Sequence, residues 1–436
     1  MAEGVVDAPE GRERRPGGIR HRLAGRAPLW VAFGLVHALL VAINLSGAGN
    51  ALGDVTLVYR VWAETAQHGW VRMGIDVGWV YPILAFAPMT AALAFGSDWY
   101  GATWLAMVTL LDAIAFAVLL GVGTISRRRR AAAWWWMAFL ALLGPIALGR
   151  IDAVTVPFAI VGLLFAAGRP RLAAALLTIG AWIKVWPAAL VAALVVALRR
   201  RGEVVIVAGA LTAGILGVSL IAGSGANALG FIAAQAGRGL QVESPFALPW
   251  LWWIVAGSSE ATIEYDRDIL TFQVSGPGAD AAAALTTPLM ALGVVVVLAA
   301  GVRAVRRRAH VVALLPPLAI AFTTVLMVAN KVGSPQFVTW LAAPVVLGLV
   351  LAGGRYLVPA ALAASVAVLT HVIYPYWYGW LLIANPGFVL LLTVKVALLL
   401  VLLGWAVGAV WQAGSARTMA DGARPSGPSG PRGARR

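Results

Sequence analysis

Apolar residues in this chain gather into runs close to the roughly 20 residues that a bilayer-crossing helix requires. The runs are 27–45, 101–124, 133–149, 153–167, 203–222, 283–301, 311–329, 337–352, 356–373 and 388–410. A further stretch, 172–198, is apolar except for Lys184 and carries Pro187. It is too long for one span and predicts two short helices that meet near Lys184. By hydropathy the chain is an all-α integral membrane protein with about twelve transmembrane helices. The polar connections are uneven: 46–100 and 223–282 are long, and most others are short.

Charge gives the runs a direction. Basic clusters stand at Arg12 to Arg26, Arg127–Arg130, Arg169 with Arg171, Arg199–Arg201, Arg303 to Arg308, Arg355 and the C-terminal tail. Short loops rich in Lys and Arg stay in the cytoplasm, and all these clusters fall on one side if residues 80–96 do not cross. That segment, VYPILAFAPMTAALAFG, is therefore expected to lie on or dip into the outer face. The expected organisation is a cytoplasmic disordered tail over 1–26, a multi-spanning domain over 27–412 and a second cytoplasmic tail over 413–436. The loops 46–100 and 223–282 then face outward and carry interfacial helices, which places the protein in the plasma membrane as a multi-pass chain. The first run has a long polar approach and full length, unlike a cleaved signal.

Composition narrows the chemistry. With 61% hydrophobic and 12% charged residues, the chain lies far from the roughly 45–50% apolar and 25% charged of a soluble domain. The net charge of +15 accordingly belongs to membrane topology, with no nucleic-acid partner expected. Absence of cysteine excludes disulfides, thiolate metal sites and thiol nucleophiles. The histidines, His21, His37, His68, His310 and His371, have no metal-ligand spacing. Arginine outnumbers lysine thirty to three, a coding-composition effect that makes each lysine conspicuous.

The outward-facing polar residues are the candidates. Asp54 precedes a stretch with helical periodicity, Val55, Val58, Tyr59, Trp62 and Ala66 opposite Arg60, Glu64 and Gln67. It reads either as the N-cap of an interfacial helix or as a base poised at the membrane surface. GRID (149–152) supplies Arg150 and Asp152 at a turn between two spans. Lys184 stands between two half-spans, where a charge needs a partner or water. GRGLQVESP (237–245) supplies Arg238, Gln241 and Glu243, and NKVGSPQF (330–337) supplies Asn330, Lys331, Ser334 and Gln336. HVIYPYWYGW (371–380) supplies His371, Tyr374 and Trp377, as an aromatic belt or a surface for sugar rings or a prenyl chain. GSGANA (223–228) lacks the strand–turn–helix context of a dinucleotide loop, and Asp266-Arg267-Asp268 reads as a solvated loop. Asp112 has no evident role, and Lys395 is expected to snorkel.

Taken in order, an Asp in the first outer loop, GRID, GAWIKVWPA, RGLQVESP and NKVGSPQF resemble the polyprenol-phosphate-mannose-dependent mannosyltransferases of glycosyltransferase family 87. The resemblance runs over roughly residues 27–410. It departs where that family often has Gln at the position of Arg150, and where adjacent prolines of many GT-C proteins are spread here as YPILAFAP. It implies a GT-C fold and an inverting transfer of mannose from polyprenyl-phosphate mannose to a lipid-linked glycan, a glycolipid or lipoglycan, on the extracytoplasmic face. Asp54 is then the general base. Lys184, Lys331, Arg150 and Arg238 receive the donor phosphate, and Asp152, Gln241, Glu243, Asn330, Ser334, Gln336, His371, Tyr374 and Trp377 contact substrate. Such a cation set requires no metal and no other cofactor, and leaves room for a divalent cation. Other readings of the same features are a GT-C transferase using polyprenyl-phosphate arabinose, and a transporter or flippase for lipid-linked sugars.

Overall fold

The computed structural model describes residues 25–267 and 269–415. Of the expected tails, 1–24 and 416–436 lie outside the described residues, as do His21 and Asp268.

Among the described residues, eight stretches are long and apolar enough to cross a bilayer. They contain α1 (Arg26–Leu45), α4 (Tyr100–Leu120), α5 (Arg127–Leu143), α9 (Arg201–Ile221), α12 (Ala279–Arg306), α13 (Val311–Val328), the pair α14 (Ala342–Ala352) and α15 (Leu357–Ile373) within one stretch, and α17 (Pro386–Ala413). Between α5 and α9 lie three shorter apolar helices: α6 (Ile151–Phe165), α7 (Pro170–Ile183) and α8 (Pro187–Ala197). The count of about twelve treats each apolar run as a full crossing. The difference arises because the runs 153–167 and 172–198 fold as helices of 15, 14 and 11 residues, and 337–373 as one stretch bent at Gly353–Tyr356. The break inside 172–198 falls where the sequence places it. Lys184 leaves α7 in an extended conformation, and Pro187 opens α8 at its first position, where its missing N–H costs nothing.

Arginines collect at one end of the bundle and serve its helix ends. Arg26 donates to Gly121 O and Gly123 O at 2.7 Å. Arg129 donates to Leu119 O at 2.7 Å and Arg128 to Leu351 O at 2.8 Å. These carbonyls lie at the C-terminal ends of α4 and α14, where the backbone lacks internal partners and positive charge is favoured.

The opposite end holds the long connections. Residues 80–96 form only the turn Ile83–Ala85 and the six-residue helix α3 (Phe86–Ala91), far short of a crossing. α2 (Arg60–Gln67) precedes them. The connection 223–282 contains α10 (Gly230–Ala236) and α11 (Leu248–Val255), and also a hairpin of β1 (Thr262–Asp266) and β2 (Thr271–Ser275). Interfacial helices alone are therefore an incomplete description of this loop. Val242 N donates to Phe272 O at 3.1 Å and Val274 N to Leu240 O at 2.9 Å, so GRGLQVESP runs alongside β2. The same segment is locked to the 330–337 turn. Gln241 N donates to Lys331 O at 3.0 Å, and Ser244 Oγ donates to Asn330 O at 2.8 Å. Gly333 lies so close to the Glu243–Ser244 backbone that a Cβ there would overlap it.

Candidate active site

Asp54 does not cap a helix. It opens a π-helical turn, Asp54–Tyr59, that runs on into α2, and its side chain makes no cap bond. π-turns of this kind recur at functional sites. The carboxylate instead turns toward the GRID segment, with Oδ2 3.0 Å from Arg150 Nε. The Arg150 side chain is 7% exposed and that of Asp54 43%. Arg150 also donates to Ala51 O, to Gly149 O at 2.9 Å and to the Tyr374 hydroxyl at 2.6 Å. A guanidinium with every nitrogen engaged and almost no exposure is a clamp. In this arrangement Arg150 fixes the position of Asp54.

Asp152 and Lys184 form a second group. Asp152 is completely buried; its Oδ1 accepts from Trp340 Nε1 at 2.7 Å, and its Oδ2 lies 3.7 Å from Lys184 Nζ. Trp340 stacks on Trp186 with ring centroids 5.5 Å apart. Trp186 Nε1 donates to Thr155 Oγ1 at 2.8 Å, whose hydroxyl donates to Asp152 O at 2.7 Å. Asp152 thus has one oxygen bonded to Trp340 and the other facing Lys184 without a hydrogen bond. The ammonium is 4.5 Å from the centroid of the Tyr81 ring, a distance at which the ring face attracts a cation. A loose ion pair on one side and an aromatic face on the other leave this charge available to an anion.

Tyr81 joins the two groups. Its hydroxyl is 3.3 Å from that of Tyr59, in the same π-turn as Asp54. Burial first, and then neighbouring Tyr81, raise Tyr59 well above an ordinary phenol. It therefore stays a neutral hydrogen-bonding group at any physiological pH. Arg238 lies within electrostatic range of Tyr81, and burial lowers its pKa below the ordinary guanidinium value. Lys331 is likewise shifted down, chiefly by burial and then by Arg238. Arg238 is thus near enough to disfavour the charge on Lys331.

Depth follows from helix length. α7 has 14 residues, about 21 Å at roughly 1.5 Å per residue, against a hydrocarbon layer of about 30 Å. Starting at Arg169, it lifts Lys184 only part of the way across. Non-helical backbone at such depth is tolerated where it is buried in protein or lines a cavity.

The remaining candidates divide. Tyr374 belongs to the Asp54 group, and Gln241, Asn330 and Lys331 to the interlocked loops. Ser334 opens the turn Pro335–Leu341, and Gln336 is buried within it. Glu243 pairs with Lys395: its Oε2 lies 2.9 Å from Lys395 Nζ, with both side chains buried. This buried pair replaces the reading of Lys395 as a snorkelling lysine. His371 Nδ1 sits 3.2 Å from Leu142 O, against Gly144, where any side chain would overlap the ring. Trp377 is 51% exposed, and its ring centroid lies 6.5 Å from that of Tyr376. Asp112 also has a partner, with its Oδ2 3.2 Å from His37 Nε2 in the apolar core.

The protein is an apolar helical bundle with a part-buried set of acids and cations at its non-arginine end. Residues 79–257 match the model described as Glycosyltransferase family 87. The match covers about two fifths of the chain, and over that stretch the protein is similar to this family. It includes Tyr81, Arg150, Asp152, Lys184, Arg238 and Gln241; Asp54, Lys331 and Tyr374 lie outside it. Comparison with curated proteins and with solved structures gave no match.

Proposed function

We propose that the protein moves mannose from polyprenyl-phosphate mannose to a lipid-linked glycan, at the extracytoplasmic face of the plasma membrane, with inversion to an α-mannoside. The observation that carries this reading is Asp54, a half-exposed carboxylate pinned by the buried Arg150 guanidinium and connected through Tyr59 and Tyr81 to Lys184. The acceptor hydroxyl attacks the anomeric carbon while Asp54 takes its proton. The bond from that carbon to the phosphate oxygen breaks, and the polyprenyl phosphate leaves with the electron pair. Charge growing on the phosphate is met by Lys184, Lys331 and Arg238, groups already in place before reaction. Asp152 gives Lys184 an acidic neighbour in an apolar setting. These cations suffice for the leaving group, so the reading includes no metal. The arginine-rich end supports a cytoplasmic assignment for that face and an outward-facing site.

The test is donor choice. Membranes containing the protein are given radiolabelled polyprenyl-phosphate mannose or polyprenyl-phosphate arabinose. Label from the mannose donor is expected to enter glycolipid, and label from the arabinose donor to remain at background. The reverse pattern would transfer the site to the other sugar.

A further inference from the structure

The basic residues at the arginine end are not equivalent. Arg26, Arg128 and Arg129 are spent on helix-end carbonyls, while Arg171 and Arg200 both pair with Glu203. The C-terminal end of α12 differs. Ala299, Val302, Arg303, Arg306 and Arg307 line a cavity of about 360 Å³. Their spacing of three, four, seven and eight residues places them on one face of the helix. Among the described residues no carboxylate pairs with Arg303, Arg306 or Arg307. Arg303 is steadied from the neighbouring helix: its guanidinium carbon lies 3.3 Å from the Trp411 ring centroid, and Nη1 donates to Trp411 O at 3.3 Å. Arg306 and Arg307 are exposed.

The apolar part of this stripe continues toward the bilayer middle. Leu292, Val295 and Val302 are 58%, 56% and 37% exposed, on the same helix as the arginines. An ion pair partner supplied by the protein would need no such continuation. We propose that this cavity is a binding site for one anionic phospholipid, its phosphate between Arg303, Arg306 and Arg307 and an acyl chain along Leu292, Val295 and Val302. Basic pockets beside transmembrane helices suit such headgroups, and a forked guanidinium stacked on an aromatic ring is preorganised to grip a phosphate. The site is independent of the transferase reading, being built from the opposite end of the bundle.

Native mass spectrometry of the full chain, released from micelles containing phosphatidylglycerol and phosphatidylcholine, tests it. Wild type is expected to retain one phosphatidylglycerol in preference to phosphatidylcholine. The Arg306→Gln/Arg307→Gln variant should lose at least about tenfold of that retention, since each guanidinium–phosphate contact is charge-assisted. Arg199→Gln/Arg201→Gln removes the same charge from the same end and should leave retention unchanged. Equal losses in the two variants would reduce the effect to diffuse surface attraction and overturn a defined site. Displacement of the lipid by equimolar glycerol 3-phosphate would overturn the acyl-chain contact, leaving a free-phosphate site. Wild-type protein retaining no lipid would remove the proposal.

Discussion

Asp54→Asn is expected to lower mannosyl transfer by about 10²–10⁴-fold, the usual contribution of a positioned general base, while leaving the protein folded and able to bind donor. Asparagine keeps the size of the side chain and an oxygen facing Arg150 Nε, but it cannot take the acceptor proton. A structural role gives no comparable loss. Asp54 makes no cap bond, and its side chain is 43% exposed, so exchanging it for a neutral isostere disturbs little packing. Asp54→Glu is expected to be poor as well, because Arg150 is locked by three further groups and cannot follow a displaced carboxylate. The measurement is initial rate in reconstituted vesicles, with donor binding and gel-filtration profile followed on the same preparations. Full activity in Asp54→Asn would remove the base assignment.

Lys395→Met is expected to destabilise the protein by about 3–5 kcal/mol, because it leaves the buried Glu243 carboxylate without its partner. The two side chains are only 6% and 2% exposed, at 2.9 Å, so water cannot replace the lost ammonium. The damage should spread locally. Glu243 belongs to the segment whose Gln241 and Ser244 backbone and side-chain bonds hold the 330–337 turn, and Lys331 lies in that turn. Thermal unfolding in detergent measures the effect. Adding Glu243→Gln to Lys395→Met is expected to recover most of the loss, which identifies the pair itself as the cause. A nearly silent Lys395→Met would return this residue to a snorkelling role.

What the sequence makes legible is what repeats along the chain. The apolar runs, the arginine clusters and the interruption at Lys184 each arise from local composition, and the helices begin and end close to where those signals lie. The partnerships are not local. Glu243 meets Lys395 across 152 positions, and His37 meets Asp112 across 75; in each case an isolated polar residue gives no hint of its mate. Asp54 shows why a short-range rule fails. Asp before an amphipathic stretch is ordinarily a cap, yet here the π-turn has already begun, and the nearest strong donor comes from GRID, 96 residues further on. Tyr81 escapes notice because it stands in a segment whose apolar character draws attention to its membrane depth. Only the fold brings its ring under Lys184 and its hydroxyl to Tyr59. The hairpin is visible in retrospect as the alternation TIEYD and TFQVS, overshadowed by the sequence Asp266-Arg267-Asp268 between them.

A single in-line displacement with Asp54 as base fixes the anomeric configuration of the product, and that configuration is the measurement to make. Purified protein in vesicles is given β-linked polyprenyl-phosphate mannose, radiolabelled in the sugar, together with a lipid-linked glycan acceptor. The product is then treated with α-mannosidase. The account predicts that the new mannose is released completely, and that Asp54→Asn forms no such product although it binds the donor. A product resistant to α-mannosidase and cleaved by β-mannosidase would mean retention, hence two displacements, and would contradict the mechanism built on Asp54.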